Sequence, residues 1–253
     1  MKTRITEMFG IKYPIICAGG MGNLTAGNYK STDELRDAIR ATKKLTDKPF
    51  MVGITILPSF HITPDDHRRN LQVCAEEGVA GIEVSGTPLD KLGKEYIDML
   101  KKANVKMFHK VGCLRHALHA QEVGYDGIYA AGIEEGGHPL NDDVTTMVLT
   151  PKIAESIGIP VVAVGGIADG KSMAAALALG AEGVMMASRF IATKECQVHQ
   201  NIKDEVVKRQ ENETTLICKS IGLQGRAIKN KLAMQILDAE SRGASLQELA
   251  PLI

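Results

Sequence analysis

The sequence predicts an α/β fold of the TIM-type (β/α)8 barrel class, closed by a C-terminal helical segment. Three observations carry this. Short β-prone apolar runs without polar alternation recur along the chain, as expected of parallel strands covered on both faces. Stretches with helix caps separate them, and strand–helix alternation means a parallel sheet. The length, 253 residues, is the usual size of such a barrel.

Strands are read at Tyr13 to Ala18, Phe50 to Leu57, Gly81 to Ser85 and Lys106 to Lys110. Gly127 to Ala131, Pro160 to Val164 and Gly183 to Ala187 follow. Ser31-Thr32-Asp33-Glu34 reads as a capping box ahead of Leu35 and Ile39. Thr63-Pro64 and Thr150-Pro151 each put a cap residue before a proline at the first helical position. Lys171 to Leu179 is an alanine-rich helix closed by Gly180. From Glu195 onward no strand is read, and Asp204 to Glu211 and Arg226 to Leu237 read as helices. The chain is therefore expected to be one domain, a barrel over residues 1–194 with a helical segment over 195–253.

One crossover is missing from this scheme. Eight strands require one near Leu24 to Ala26, yet only Gly19 to Asn23 separate it from the strand ending at Ala18. Neighbouring parallel strands need a crossover of about a dozen residues or more. Either one barrel strand is absent or the chain lacks a segment that its relatives carry.

Composition narrows the function. Hydrophobic residues make up 44% and charged residues 24%, a globular balance. Lys+Arg and Asp+Glu are both 30, so nothing draws the chain to nucleic acid or an anionic membrane, while zero net charge leaves homo-oligomerisation open. No apolar signal core opens the chain and no run reaches membrane-spanning length, so a cytoplasmic protein acting on a small molecule is expected. Five cysteines without paired spacing read as reduced thiols, with neither disulfides nor a zinc site expected.

Two loops hold the chemistry. Gly136-Gly137-His138 follows the run Gly127-Ile128-Tyr129-Ala130-Ala131. Two residues without Cβ let a flat ligand approach the backbone there, and an imidazole titrates near working pH, which suits it to removing an acidic carbon-bound proton. Gly165-Gly166 ends a buried strand, and Ala187-Ser188 ends the next. Barrels commonly hold phosphate between their last two such loops, on amide N–H groups and small hydroxyls. Lys110, ending its own strand, would point into the same mouth. Each feature has a plainer structural explanation: a surface histidine, a tight turn, a solvated lysine. His116 and His119 are spaced for a metal, but no nearby acidic residue in the sequence completes a site. At least one of Glu134 and Glu135 is expected to be only solvated.

The ordered set of motifs resembles the FMN-dependent nitronate monooxygenases (the 2-nitropropane dioxygenase family), which share their barrel with flavin-dependent enoyl-ACP reductases. Its marks run from Arg4-Ile5-Thr6-Glu7 and Tyr13-Pro14-Ile15-Ile16 through Gly19-Gly20-Met21 and His109-Lys110. They continue with Gly132 to His138, Gly165 to Gly170 and Ala187-Ser188-Arg189-Phe190. The resemblance implies FMN, with Met21 touching the flavin, Lys110 near its ring or ribityl chain, and Gly136 and Gly137 approaching it. It further implies a phosphate held by Gly165, Gly166, Ala187 and Ser188, and His138 as catalytic base. The activity implied is oxidation of alkyl nitronates by O2 to a carbonyl compound and nitrite. An NAD(P)H-dependent enoyl reductase, a flavin-free phosphate-binding barrel and a non-catalytic barrel remain as alternatives. Where the family often has asparagine after the next Gly-Val, this chain reads Met51-Val52-Gly53, and the crossover helix after Gly-Gly-Met is missing.

Overall fold

The computed structural model describes residues 1–16, 21–57 and 62–252. The strands are β1 (Ile15–Ile16), β2 (Gly22–Thr25), β3 (Phe50–Ile56), β4 (Gly81–Gly86), β5 (Lys106–Val111), β6 (Gly127–Ala131), β7 (Val161–Val164) and β8 (Gly183–Met185). All pair in parallel in the order β1-β8-β7-β6-β5-β4-β3-β2. A single parallel bridge, Ile16 to Met21, brings the two ends together, and Met21 N donates to Ile15 O at 2.9 Å. The fold is a (β/α)8-type barrel.

The missing crossover is now located. The strand required near Leu24 is present as β2, and only residues 17–21 link it to β1. That link is shorter than the dozen or so residues a crossover between neighbouring parallel strands takes. Elsewhere every strand is followed by a helix: α2 (Thr32–Leu45), α3 (Pro64–Glu76), α4 (Lys94–Lys102), α5 (Leu114–Val123), α6 (Thr146–Ala154), α7 (Gly170–Ala178) and the short α8 (Ser188–Ile191). The expected strand residues Cys17 and Ala18, and Gly19-Gly20, lie outside the described residues.

The strand pleat sorts side chains into two cores. Phe50, Val52, Ile82, Val84, Met107, Val111, Ile128 and Ala130 face outward onto the helices. Met51, Phe108, Tyr129, Ala131, Val162 and Val164 alternate with them and fill the barrel's interior. A leading helix, which we number α1 (Arg4–Phe9), inserts Ile5 and Phe9 into that inner cluster. Arg4 fixes it: Nε donates to both carboxylate oxygens of Glu182 at 2.8 Å. Room for the Phe108 ring comes from Gly127, where a Cβ would lie 2.3 Å from Cε1.

Two sequence expectations fail. Pro151 is not the first residue of a helix, because α6 begins at Thr146, after Thr145. The Pro151 nitrogen leaves the Met147 carbonyl without its helical donor, which is tolerable because Met147 is exposed and can be hydrated. The C-terminal segment is also not purely helical. Between α9 (Gln200–Lys208) and α10 (Lys231–Ser241) lies an antiparallel ribbon of β9 (Thr214–Ile217) and β10 (Gly225–Ile228), so the helix expected from Arg226 starts five residues later. Thr214-Thr215-Leu216-Ile217 is short and rich in β-branched residues, a strand signal that the surrounding polar residues masked. Asn230 supplies the cap, accepting from Ala233 N at 2.8 Å. α11 (Leu246–Leu249) ends the described helices.

Candidate active site

A two-lobed cleft opens at the C-terminal ends of the strands, where barrels of this kind build their sites. The first lobe, about 390 Å³, is walled by Lys110, Gly136, Gly165, Gly166, Ala187 and Ser188, with Glu83 and Glu135 also facing it. The second, about 330 Å³, is walled by His138, Pro139, Thr55, Ser85 and Gln224. Glu83 and Lys110 line both, so they mark the junction.

The glycines of the first lobe make a concave turn. Gly165 has φ +105°, and a Cβ there would meet Glu135 N and Thr146 Oγ1, both at 2.9 Å. Gly166 follows at φ +69°. Only glycine holds two such conformations in a row without strain. The helix after this turn cannot bind an anion at its N-terminus, because Asp169 already caps it, accepting from Ser172 N at 2.8 Å. A phosphate would instead meet the turn itself and the opposite Ala187-Ser188 segment. At Gly136 a Cβ would meet nothing within 4 Å, so the space for a flat cofactor beside it is open. On these grounds the lobe fits the phosphate end of a flavin mononucleotide.

Lys110 stands at the junction because the pleat of β5 turns Phe108 and Lys110 inward and His109 outward. His109 stacks on Tyr125 instead, and burial pushes its imidazole down to about 4. Lys110 Nζ donates to Glu135 Oε1 at 3.0 Å and to the His138 carbonyl at 3.2 Å. The lysine thus ties down the loop that carries the imidazole. Partial burial, and then the nearby Lys110 charge, hold His138 below the ordinary imidazole range. It is therefore neutral near pH 7 and able to accept a proton.

The loop has a second anchor. β10 grips it with Arg226 N donating to Gly137 O at 2.6 Å and Arg226 Nη2 to Ile133 O at 2.9 Å. Gln224 Nε2 donates to Leu140 O at 2.8 Å. The supposed tail therefore forms one wall of the cleft. Sequence reasoning missed these residues because ninety positions separate them from the loop.

Among the candidates, Lys110, Gly136, Gly165, Gly166, Ala187, Ser188 and His138 come together around the cleft. Gly137 is in the same loop but engages Arg226. Met21 is wholly buried with the inner cluster and lines neither lobe. Glu134 is the exposed member of the acidic pair, and Thr146 N donates to it at 2.9 Å at the start of α6. Glu135 is buried. Glu83 was overlooked altogether, although a charged residue in the middle of a strand covered on both faces was its signal.

Acidic partners for the histidines of α5, unseen in the sequence, do exist in space. His119 Nε2 lies 3.3 Å from Asp90 Oδ2. Ligand atoms of Cys113, His116 and Asp142 lie within 4.8 Å of one another. Arg115 Nη2 faces His116 Nε2 at 3.4 Å, however, so a cation already occupies that side of the imidazole.

A parallel barrel whose mouth combines a glycine turn, a half-buried lysine and an imidazole is the architecture of an enzyme. The chain belongs to the nitronate monooxygenase family, whose sequence profile ("Nitronate monooxygenase") matches residues 14–250, and it is an oxidoreductase of that family. A (3aS,4S,5R,7aS)-5-hydroxy-7a-methyl-1-oxo-octahydro-1H-indene-4-carboxyl-CoA dehydrogenase of Rhodococcus jostii (strain RHA1) is 33% identical, over 97% of this chain and 73% of that one. A probable nitronate monooxygenase of Staphylococcus aureus (strain N315) is 28% identical, over 94% of this chain and 81% of its own length. That alignment runs over 292 residues, longer than the whole of this chain, so the relative carries segments absent here, in keeping with the short β1–β2 link. The structure of FabK from Thermotoga maritima superposes with a TM-score of 0.86 at 33% identity, covering 96% of this chain and 79% of that one. No described helix is long and apolar enough to cross a membrane.

Proposed function

We propose that the chain is an FMN-dependent enzyme that oxidises alkyl nitronates, or the nitroalkanes they derive from, with O2. The observation that carries this reading is that the two lobes adjoin at Lys110, which lines both, with a glycine turn on one side and an imidazole on the other. Gly165, Gly166, Ala187 and Ser188 would hold the phosphate, and Lys110 and Gly136 the ring end. Bound there, FMN would supply the electron acceptance that no side chain provides. The protein's own part is position and charge. His138, neutral at working pH, takes the acidic α-proton of a nitroalkane on its free imidazole nitrogen, or orients the anion that arrives already deprotonated. Lys110 offers an ammonium to the negative charge developing at the junction.

Anaerobic mixing of the FMN-loaded enzyme with a nitronate tests the proposal. Bleaching of the flavin absorbance, followed by reoxidation and nitrite release when air is admitted, is the expected result. An unchanged spectrum rejects it.

A second reading, redox chemistry on an acyl thioester, draws on the Rhodococcus relative, whose name places it on a carboxyl-CoA. Flavin bleaching by NAD(P)H, or by a hydroxyacyl-CoA, with none by nitronates would select that reading.

A further inference from the structure

The proposed chemistry leaves Glu83 without a task. The pleat of β4 sends Ile82 and Val84 outward and Glu83 into the barrel mouth, where it is 8% exposed and lines both lobes. Its hydrogen-bonding neighbours are neutral: Asn23 Nδ2 donates to Oε2, and Ser85 Oγ lies 3.4 Å from Oε1. The charged or titratable groups that line the cleft with it are Lys110 from β5 and Glu134, Glu135 and His138 from the loop after β6. Around the rest of the mouth, β3 presents Thr55, β7 Val164 and β8 Met185, none of which titrates in the working range.

Two buried carboxylates thus share one lysine. An unpaired charge in a poorly hydrated site is expensive, and such a group takes up a proton instead. Which one takes it follows from the contacts. Burial pushes the Glu135 carboxyl up too, but Lys110 Nζ lies 3.0 Å from its Oε1 and opposes this directly, while Glu83 has only an amide and a hydroxyl beside it. Burial, the largest influence, pushes the Glu83 carboxyl up and the negative charge of Glu135 adds to it, while Lys110 and the Asn23 and Ser85 donors oppose this.

A protonated carboxyl is an O–H donor, and a donor is what an anion needs at this position. We infer that Glu83 is an anion-binding residue of the cleft, donating a hydrogen bond from its protonated carboxyl, beside Lys110 Nζ, to a small planar oxyanion at the junction of the lobes. This rests on the nitronate reading, for a nitronate is such an anion and two ionised carboxylates would repel it. The proton stays on Glu83 throughout, and no bond to carbon is made or broken. A buried acid kept neutral in order to donate is a known way of stabilising an oxyanion.

The test is nitrate, a planar anion that the enzyme cannot oxidise. It is titrated calorimetrically from about pH 5 to about pH 9 into the protein as purified and after loading with FMN, which fills the phosphate turns. Wild-type affinity is expected to fall up to about tenfold per pH unit above a midpoint, the slope for one proton held on binding. Glu83→Gln keeps a donor at all pH values, and its curve should lack that component. His138 contributes equally to both proteins, so the difference between the curves belongs to Glu83. Glu135→Gln frees Lys110 toward Glu83 and should move the wild-type midpoint to lower pH. Superimposable wild-type and Glu83→Gln curves overturn the inference, as does a midpoint that Glu135→Gln leaves in place. An enzyme inert toward nitronates that still shows the Glu83-dependent curve defeats only the proposed function. One that oxidises nitronates with Glu83-independent nitrate binding defeats only this inference.

Discussion

Along β5, Phe108 packs against Phe9 and Tyr129 in the barrel floor, and two residues later Lys110 stands in the cleft. Along β4, Gly81 lies level with Lys106 at the start of the strands, and Glu83 and Ser85 reach the mouth. The same inward face therefore starts at Lys106 on the lower edge, is apolar across the floor and carries charge again at the mouth. The floor, where α1 and the inner aromatics exclude water, adds to a larger core between the strands and the helices. The mouth spends part of the resulting stability on holding charged groups out of water and close together. A mutation should act on one property or the other according to its height in the barrel.

The strongest attack on the floor is Phe108→Ala. Loss of a wholly buried ring beside Phe9 and Tyr129 should cost about 3–5 kcal/mol, read as a lower urea midpoint. At the rim, His138→Ala should do the reverse, lowering kcat/KM for nitroalkanes by about 10²–10⁴-fold while the melting temperature stays put. A large fall in melting temperature for that variant would erase the contrast. Arg226→Met should lie between the extremes. It removes guanidinium donors from the buried side of the loop, so about 1–3 kcal/mol of stability should go together with part of kcat. Gly166→Ala places a Cβ on a residue at φ +69° and should cost about 1–2 kcal/mol, with FMN affinity measured alongside.

The smallest expected effect is one of pH. The Glu83 carboxyl is raised by folding, so its stabilising contribution is full at acid pH and is lost as pH rises through the raised value. Glu83→Gln should therefore gain in melting temperature relative to wild type at about pH 8 but not at about pH 4.

The barrel was legible in the sequence because most strands are compact apolar runs and helix starts such as those at Ser31 and Thr63 carry a capping side chain. The glycine turns and the imidazole were legible because they are local: adjacent residues with special backbone or titration properties. What escaped depends on contacts across the chain. Glu83 looks like part of an ordinary strand until the pleat and the position of Lys110 show where it faces. Arg226 and Gln224 sit in a segment whose helical reading seemed adequate until the ribbon was seen against the His138 loop. Pro151 misled because proline favours a helix's first turn without being confined to it. Asp169 capping α7 was written in the sequence, but its effect on where a phosphate can sit appears only once the turn is built.

The ribbon's grip on the Gly-Gly-His loop also bears on how the protein is made. Synthesis proceeds from the N-terminus, and the loop emerges about ninety residues before the strand that clamps it. A nascent chain with all eight barrel strands already formed would still have an unset imidazole, so the ability to react should arrive late, only after Ile228 has cleared the ribosome.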